Sequence, residues 1–178
     1  MNGTNETMKR TPTGTAVGVD DPYEHVDRCD HLTNDGRCRF AFERPLVDPP
    51  FTEARRADDF HCPVGSDRWH WSDCLHFRSC ERQRTCRRCG LKDRPNAHRS
   101  DQRSLLEEHH LSYAEHPEDP PHEITVTLCR WCHAKVHTSW ARITDDVNPD
   151  PEAIAAAEQR RSEELAEAAF RTAADIEE

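Results

Sequence analysis

The chain has little with which to build an ordinary core. Of its 178 residues only 34% are hydrophobic, the mean hydropathy is −0.99, and aromatic residues make up 7%. No stretch approaches the roughly 18 apolar residues of a membrane helix, so no spanning segment is expected. The first 25 residues hold neither an apolar run nor a cleavage pattern of the secretory kind. These absences point to a cytoplasmic protein in a reducing compartment, with no membrane partner. Lysine is nearly missing: three residues stand against 21 arginines, with 34 Asp and Glu. That balance resembles the composition of halophilic, salt-adapted proteins.

What the chain does have is cysteine. Nine are present, an odd number, and several fall in C-x-x-C pairs close to histidines. Chains with lean cores need metals or disulfides to fold, and this pattern favours metal.

The net charge of −10 is unevenly spread. From Arg78 to Arg103 nine basic residues face three acidic ones, whereas from Asp145 onward eleven acidic residues face three arginines. A basic stretch of this kind is either solvated surface or a phosphate-contacting face. Its candidate contacts to nucleic acid are Arg84, Arg87, Arg88, Lys92, Arg94 and Arg99, with Lys135 further along.

Four segments follow from composition. Residues 1–22 are rich in Thr, Gly, Asn and Asp and read as a disordered leader. Residues 23–82 form a Cys-rich, loop-rich module organised by metal. Residues 83–143 carry the most specific motifs. Residues 144–178 are an acidic helical tail, with Asp150 as N-cap and Pro151 at the first helical position. The expected fold class is therefore small α+β.

Cys86-Arg87-Arg88-Cys89 and Cys129-Arg130-Trp131-Cys132 are two matched pairs, the spacing with which two knuckles wrap one tetrahedral ion. Four thiolates leave no open coordination position, which defines a structural zinc site. A redox role is disfavoured because no thioredoxin-like pattern surrounds either pair. Between the pairs lie Leu105-Leu106-Glu107-Glu108-His109-His110, a polar Pro-rich loop, and then Ile124-Thr125-Val126-Thr127-Leu128, a β-branched alternating run expected as a strand. Residues 130–141 contain neither Gly nor Pro and should be a helix, with His133 and His137 four apart on one face. A Cys129, Cys132, His133, His137 cluster is a further arrangement of the same residues, but it would leave Cys86 and Cys89 without partners.

In this order the motifs Cys86-x-x-Cys89, Glu108-His109-His110-Leu111-Ser112-Tyr113 and Cys129-Arg130-Trp131-Cys132-His133-x-x-x-His137 resemble the HNH, or ββα-metal, endonucleases of the zinc-knuckle branch. The resemblance covers roughly residues 83–141. It implies a zinc-stapled ββα core in which His109, His133 and His137 bind a catalytic divalent ion (Mg²⁺, Mn²⁺, Ni²⁺ or Zn²⁺). It also implies that His110 is the general base for hydrolysis of a nucleic-acid phosphodiester, in DNA before RNA. The family asparagine before the second strand is absent; the region reads Pro121-His122-Glu123-Ile124, with Glu123 or His122 as candidates for its role. A catalytically silent zinc module that binds nucleic acid or a protein partner is the alternative.

Cys29, Cys38, Cys62 and Cys74 lie among aromatic residues and histidines. Asn34-Asp35-Gly36 is a turn signal, so Cys29 and Cys38 should flank a hairpin. A second metal site is expected on these four, holding zinc or an iron–sulfur cluster, with Cys80 left over. His98, His116 and His122 read as surface histidines. The sequence sets neither oligomeric state nor substrate strandedness.

Overall fold

A computed structural model describes residues 8–93, 104–114, 122–147 and 150–168 of the chain. The centre is a three-stranded mixed sheet of order β1-β3-β2. Strand β1 is Arg78–Cys80, β2 is Leu106–His110 and β3 is Glu123–Cys129. β3 runs parallel to β1 and antiparallel to β2, with His109 opposite Val126 and His110 opposite Thr125. β-Branched residues and a partner on each side suit β3 to the central position, and all but its first residue are buried.

The chain passes from β3 directly into helix α3, Arg130–Ser139. Cys129 serves as the N-cap, its sulfur accepting from the Cys132 N–H. The helix stops at Trp140, whose φ of +57° is left-handed. The expected strand at 124–128 and helix at 130–141 thus form with ends shifted by one or two residues. Two short helices, α1 (Arg39–Glu43) and α2 (Pro49–Arg56), precede the sheet. The last helix, α4 (Pro151–Ala168), starts as expected: Asp150 Oδ1 accepts from the Glu152 N–H at 2.9 Å, with Pro151 in the first turn. The expected hairpin between Cys29 and Cys38 is also present, turning at Gly36 with φ +80° and bridging Leu32 to Cys38. Among the described residues no helix is long and apolar enough to cross a membrane.

Two expectations about organisation do not hold. Residues 23–82 and 83–143 are not independent modules, because β1 of the first pairs with β3 of the second and one buried cluster runs through both. The leader differs from the reading as disordered wherever it is described, from residue 8 onward; residues 1–7 lie outside the described residues. The Lys9 N–H donates to the Val19 carbonyl at 2.8 Å and the Val17 N–H to the Lys9 carbonyl at 3.0 Å, Arg10 bridges Ala16, and Val17 is fully buried. This N-terminal hairpin docks on the end of α3. The Arg10 guanidinium sits 4.3 Å from the Trp140 ring centroid, and the Ile143 N–H donates to the Gly18 carbonyl at 3.0 Å.

Gly18 makes that docking possible. Its φ is +85°, and a Cβ would lie 2.8 Å from Val136 Cγ1 and 3.2 Å from the Ala141 oxygen. Gly18→Ala should therefore cost roughly 1–3 kcal/mol through strain and overpacking. Thermal unfolding would show a lowered Tm; an unchanged Tm would mean that the hairpin is not docked in solution.

Candidate metal centres

Cys86 and Cys89 sit on a knuckle closed by the Gly90 N–H to the Cys86 carbonyl at 2.8 Å, with Gly90 at φ +73°. The Arg87 N–H donates to the Thr127 carbonyl at 2.8 Å, which presses the knuckle against β3. Cys129 and Cys132 arrive from the β3–α3 junction. The four sulfurs all lie within 4.8 Å of one another, and the Cys89 and Cys129 sulfurs are 3.7 Å apart. That separation is too long for a disulfide. It is the spacing expected around a tetrahedral ion with metal–sulfur bonds of about 2.3 Å, which sets sulfurs about 3.8 Å apart. Hydrogen bonds from Cys129 and Cys132 push the Cys86 thiol down. The neighbouring thiols and burial push Cys129 up, and Cys132 stands at about 12. Thiolates so close repel one another unless a cation neutralises them. The set therefore fits a structural metal such as zinc.

The second cluster joins the strand to the helix. His109, on β2, is fully buried, and its ring centroid lies 5.0 Å from that of His133 and 4.9 Å from that of His137, both on α3. One ring nitrogen from each of the three falls within 4.8 Å of the others. Each ring has its remaining nitrogen engaged by an oxygen. His109 Nε2 donates to the Val17 carbonyl at 2.8 Å, His133 Nδ1 donates to Glu107 Oε2 at 2.7 Å, and His137 Nδ1 lies 3.2 Å from Thr15 Oγ1. The carbonyl and the carboxylate only accept, so they place the proton on His109 Nε2 and on His133 Nδ1 and leave the other nitrogen of each ring with a lone pair, as oxygen partners do for metal-binding histidines. His109 Nδ1 is buried with no hydrogen-bond partner, a donor atom waiting for a ligand. Burial holds the His109 imidazole near 4, so it stays neutral at ordinary pH. Three imidazoles with one nitrogen each in reach of a common point could hold a divalent ion.

The open side is a cleft of about 240 Å³ lined by Glu107, Arg130, His133, His137 and, from α4, Arg161 and Leu165. Arg130 pairs with Glu107 at 3.4 Å and with Glu158 of α4, both partners of the latter pair being about one-eighth exposed. The acidic tail is thus one wall of the histidine site.

His110 does not join this cluster. β2 stays extended and paired through His110, so consecutive side chains alternate and His110 faces the other side of the sheet. There it shares a surface with Glu108, Glu123 and Cys80, the last three with ligand atoms within 4.8 Å of one another. Arg78 Nε donates to Glu123 at 2.6 Å and holds its carboxyl below the usual range, helped by the charge of His110. Thr125 donates to Glu108 at 2.7 Å. Those carboxylates already have partners, which accounts for the group without a cation. His122 corrects the surface reading: it is buried, donating Nε2–H to the Cys74 carbonyl at 2.7 Å while its Nδ1 meets the Tyr23 hydroxyl.

Several arginines of the basic stretch are paired within the protein, although among Arg84, Arg87 and Arg88 only the Arg88 side chain is buried. Arg88 has a side chain only 6% exposed, donates to the Arg142 carbonyl at 3.0 Å and lies 3.7 Å from the Cys132 sulfur. Arg87 pairs with Glu81 at 2.9 Å and Arg84 with Asp93 at 3.0 Å. Local charge counting misses partners drawn from the same stretch. Lys92 and Lys135 are exposed; Arg94 and Arg99, like His98 and His116, lie outside the described residues. Residues missed by sequence reasoning are Thr15, Val17 and Glu107. Only Glu107 carried a signal, as the second residue before His109 and hence on the same strand face.

A family match takes in all of these features at once, running over residues 8–176. The chain belongs to DUF7097, a family of unknown function. No curated protein and no solved structure matches it. The DUF7097 match spans the N-terminal hairpin and α4 as well as both clusters, so the walls of the histidine site belong to the same family unit as its ligands.

Glu107→Gln should weaken divalent-ion binding at the three histidines roughly 10–100-fold, the usual effect of losing a partner behind a metal-bound imidazole. Competition titration with Co²⁺, on protein retaining its thiolate-bound metal, measures this. Unchanged affinity would remove Glu107 from the site.

Proposed function

We propose that this DUF7097 protein is a metal-dependent endonuclease of the HNH kind that hydrolyses phosphodiester bonds in nucleic acid, with DNA as substrate. The observation that carries the reading is the convergence of His109, His133 and His137, each with its second nitrogen held by an oxygen. The resemblance of the surrounding sequence to the zinc-knuckle ββα family adds to it.

On this reading the four cysteines are structural and hold β2 against α3. A divalent ion on the histidines would supply Lewis-acid stabilisation of charge on phosphoryl oxygens. Glu107 orients His133, the Val17 carbonyl orients His109, and Arg130 and Arg161 bring positive charge to the cleft where a phosphate would enter. His110 is the candidate to accept a proton from water. It is exposed at the last position of β2, next to a ligand residue, and has to act around the strand end.

A second reading has its own observation. His110 faces away from the three histidines and α4 walls their cleft, which favours a catalytically silent zinc module that binds nucleic acid or a protein partner.

Plasmid nicking assayed with Mg²⁺, Mn²⁺, Ni²⁺ and Zn²⁺ at low and high salt separates the two. The endonuclease reading expects divalent-dependent cleavage that His133→Ala abolishes while thiolate-bound metal and fold persist. It expects His110→Ala to lower the rate about 10²–10⁴-fold, the usual weight of a general base. Cleavage unaffected by His110→Ala would end the assignment of the base. DNA binding without cleavage under every ion would establish the silent module.

A further inference from the structure

The N-terminal cysteines share features of the Cys86 set. Cys38 occupies the N-cap position of α1 as Cys129 does of α3, though its sulfur makes no capping hydrogen bond there; burial pushes the Cys38 thiol up, and the Ala41 and Phe40 N–H groups act the other way. Cys29 and Cys74 each open a tight turn, with Leu32 N donating to the Cys29 carbonyl and Phe77 N to the Cys74 carbonyl, both at 3.0 Å. In those turns the N–H two residues on is directed at the sulfur. His31 N lies 3.4 Å from Cys29 Sγ and His76 serves Cys74, the counterpart of Leu91 at Cys89. Metal-binding knuckles rely on such N–H groups because they stabilise thiolate over thiol.

Tertiary contacts gather these turns. The Cys38 N–H donates to the Phe60 carbonyl at 2.8 Å and the Cys62 N–H to the Gly36 carbonyl at 2.9 Å, which sets Cys38 beside Cys62. The Asp30 N–H donates to the Arg78 carbonyl at 2.7 Å, which brings Cys29 to the Cys74–Phe77 turn. All four are free thiols, 6–8% exposed; burial pushes the Cys74 thiol up to about 11, with the charges of Cys29, Cys38 and Cys62 adding to it. Cys80 stands apart with Glu108 and Glu123. No three of the four N-terminal sulfurs lie within 4.8 Å of one another.

We propose that Cys29, Cys38, Cys62 and Cys74 bind a second structural zinc ion as four thiolates, tying the loops before β1 to the sheet. The site is independent of whether the histidine cluster hydrolyses anything.

Full-length protein purified without chelator is titrated with a mercurial thiol reagent while released zinc is read with a chromophoric indicator. Two thiolate-bound equivalents are expected, with Cys29→Ser and Cys62→Ser each losing one and the Cys86 set keeping its own. His133→Ala, run alongside, leaves that thiolate-bound count unchanged and so separates it from any zinc on the histidines. Because either serine variant could misfold, unaltered protein is also alkylated before and after chelation and mapped by mass spectrometry. The four N-terminal cysteines should be protected only before. A single thiolate-bound equivalent, or equal alkylation of those four in both states, overturns the site; iron with labile sulfide overturns its assignment to zinc.

Discussion

Bringing four thiolates inside one 4.8 Å cluster is unfavourable unless a divalent ion neutralises them, and the rest of the structure depends on that constraint. Cys129 is where it acts. The residue ends the central strand, caps α3 and supplies one of the four sulfurs. Fixing it fixes the angle between strand and helix, and with it the distance from His109 to His133 and His137. The Cys86 knuckle closes the arrangement from the far side of β3 through the Arg87 N–H to Thr127. Arg88, packed against the Cys132 sulfur, adds positive charge next to the thiols, where a phosphate-binding arginine would instead have faced solvent.

The two clusters were legible in the sequence because their spacing is a local pattern: C-x-x-C makes a knuckle and His-x-x-x-His shares a helix face whatever surrounds them. The oxygens behind the histidines were not. Val17 contributes a backbone carbonyl, which has no side-chain signature, and Thr15 is one of many threonines in a stretch without hydrophobic period. That stretch is ordered by the burial of Met8, Val17 and Val19, a tertiary effect that composition cannot register. The fate of the basic run was illegible for a related reason. Arg84, Arg87 and Arg88 are satisfied by Asp93, Glu81, a carbonyl and a thiol. A local charge of one sign therefore says little about the surface it forms. The alternation of His109 and His110 could be foreseen from the strand; that the strand stays paired through His110 could not.

The acidic tail gains its place from one face of α4. Ile154, Glu158, Arg161 and Leu165 follow one another at spacings of four, three and four, a single helical stripe. Ile154 packs on the core, Glu158 takes Arg130, and Arg161 and Leu165 reach the cleft beside His133 and His137. Arg130 is therefore shared between the carboxylate that orients a histidine and the helix that walls the site. Anything that moves α4 alters the charge balance around Glu107, so access to the histidines and their orientation are coupled through one guanidinium.

A lean composition gives the cysteines unusual weight in this chain. The buried cluster that runs through both halves has 20 members, of which seven are cysteines and only seven are Val, Leu or Phe outside β3 and α3. Protonated thiols would pack there as small apolar groups, each contributing less burial than a leucine. As metal ligands they do more, because one ion fixes four chain segments at once and its binding free energy is folding free energy. The sheet then needs few apolar contacts of its own. The loops before β1 lack even that sheet, since α1 and α2 are short and the turn at Gly36 is held chiefly by backbone hydrogen bonds. Their order comes from Phe40, Val64 and Phe77, which share the buried cluster with the four thiols. An ion on those thiols, as proposed above, would add to that packing what the Cys86 set offers the sheet.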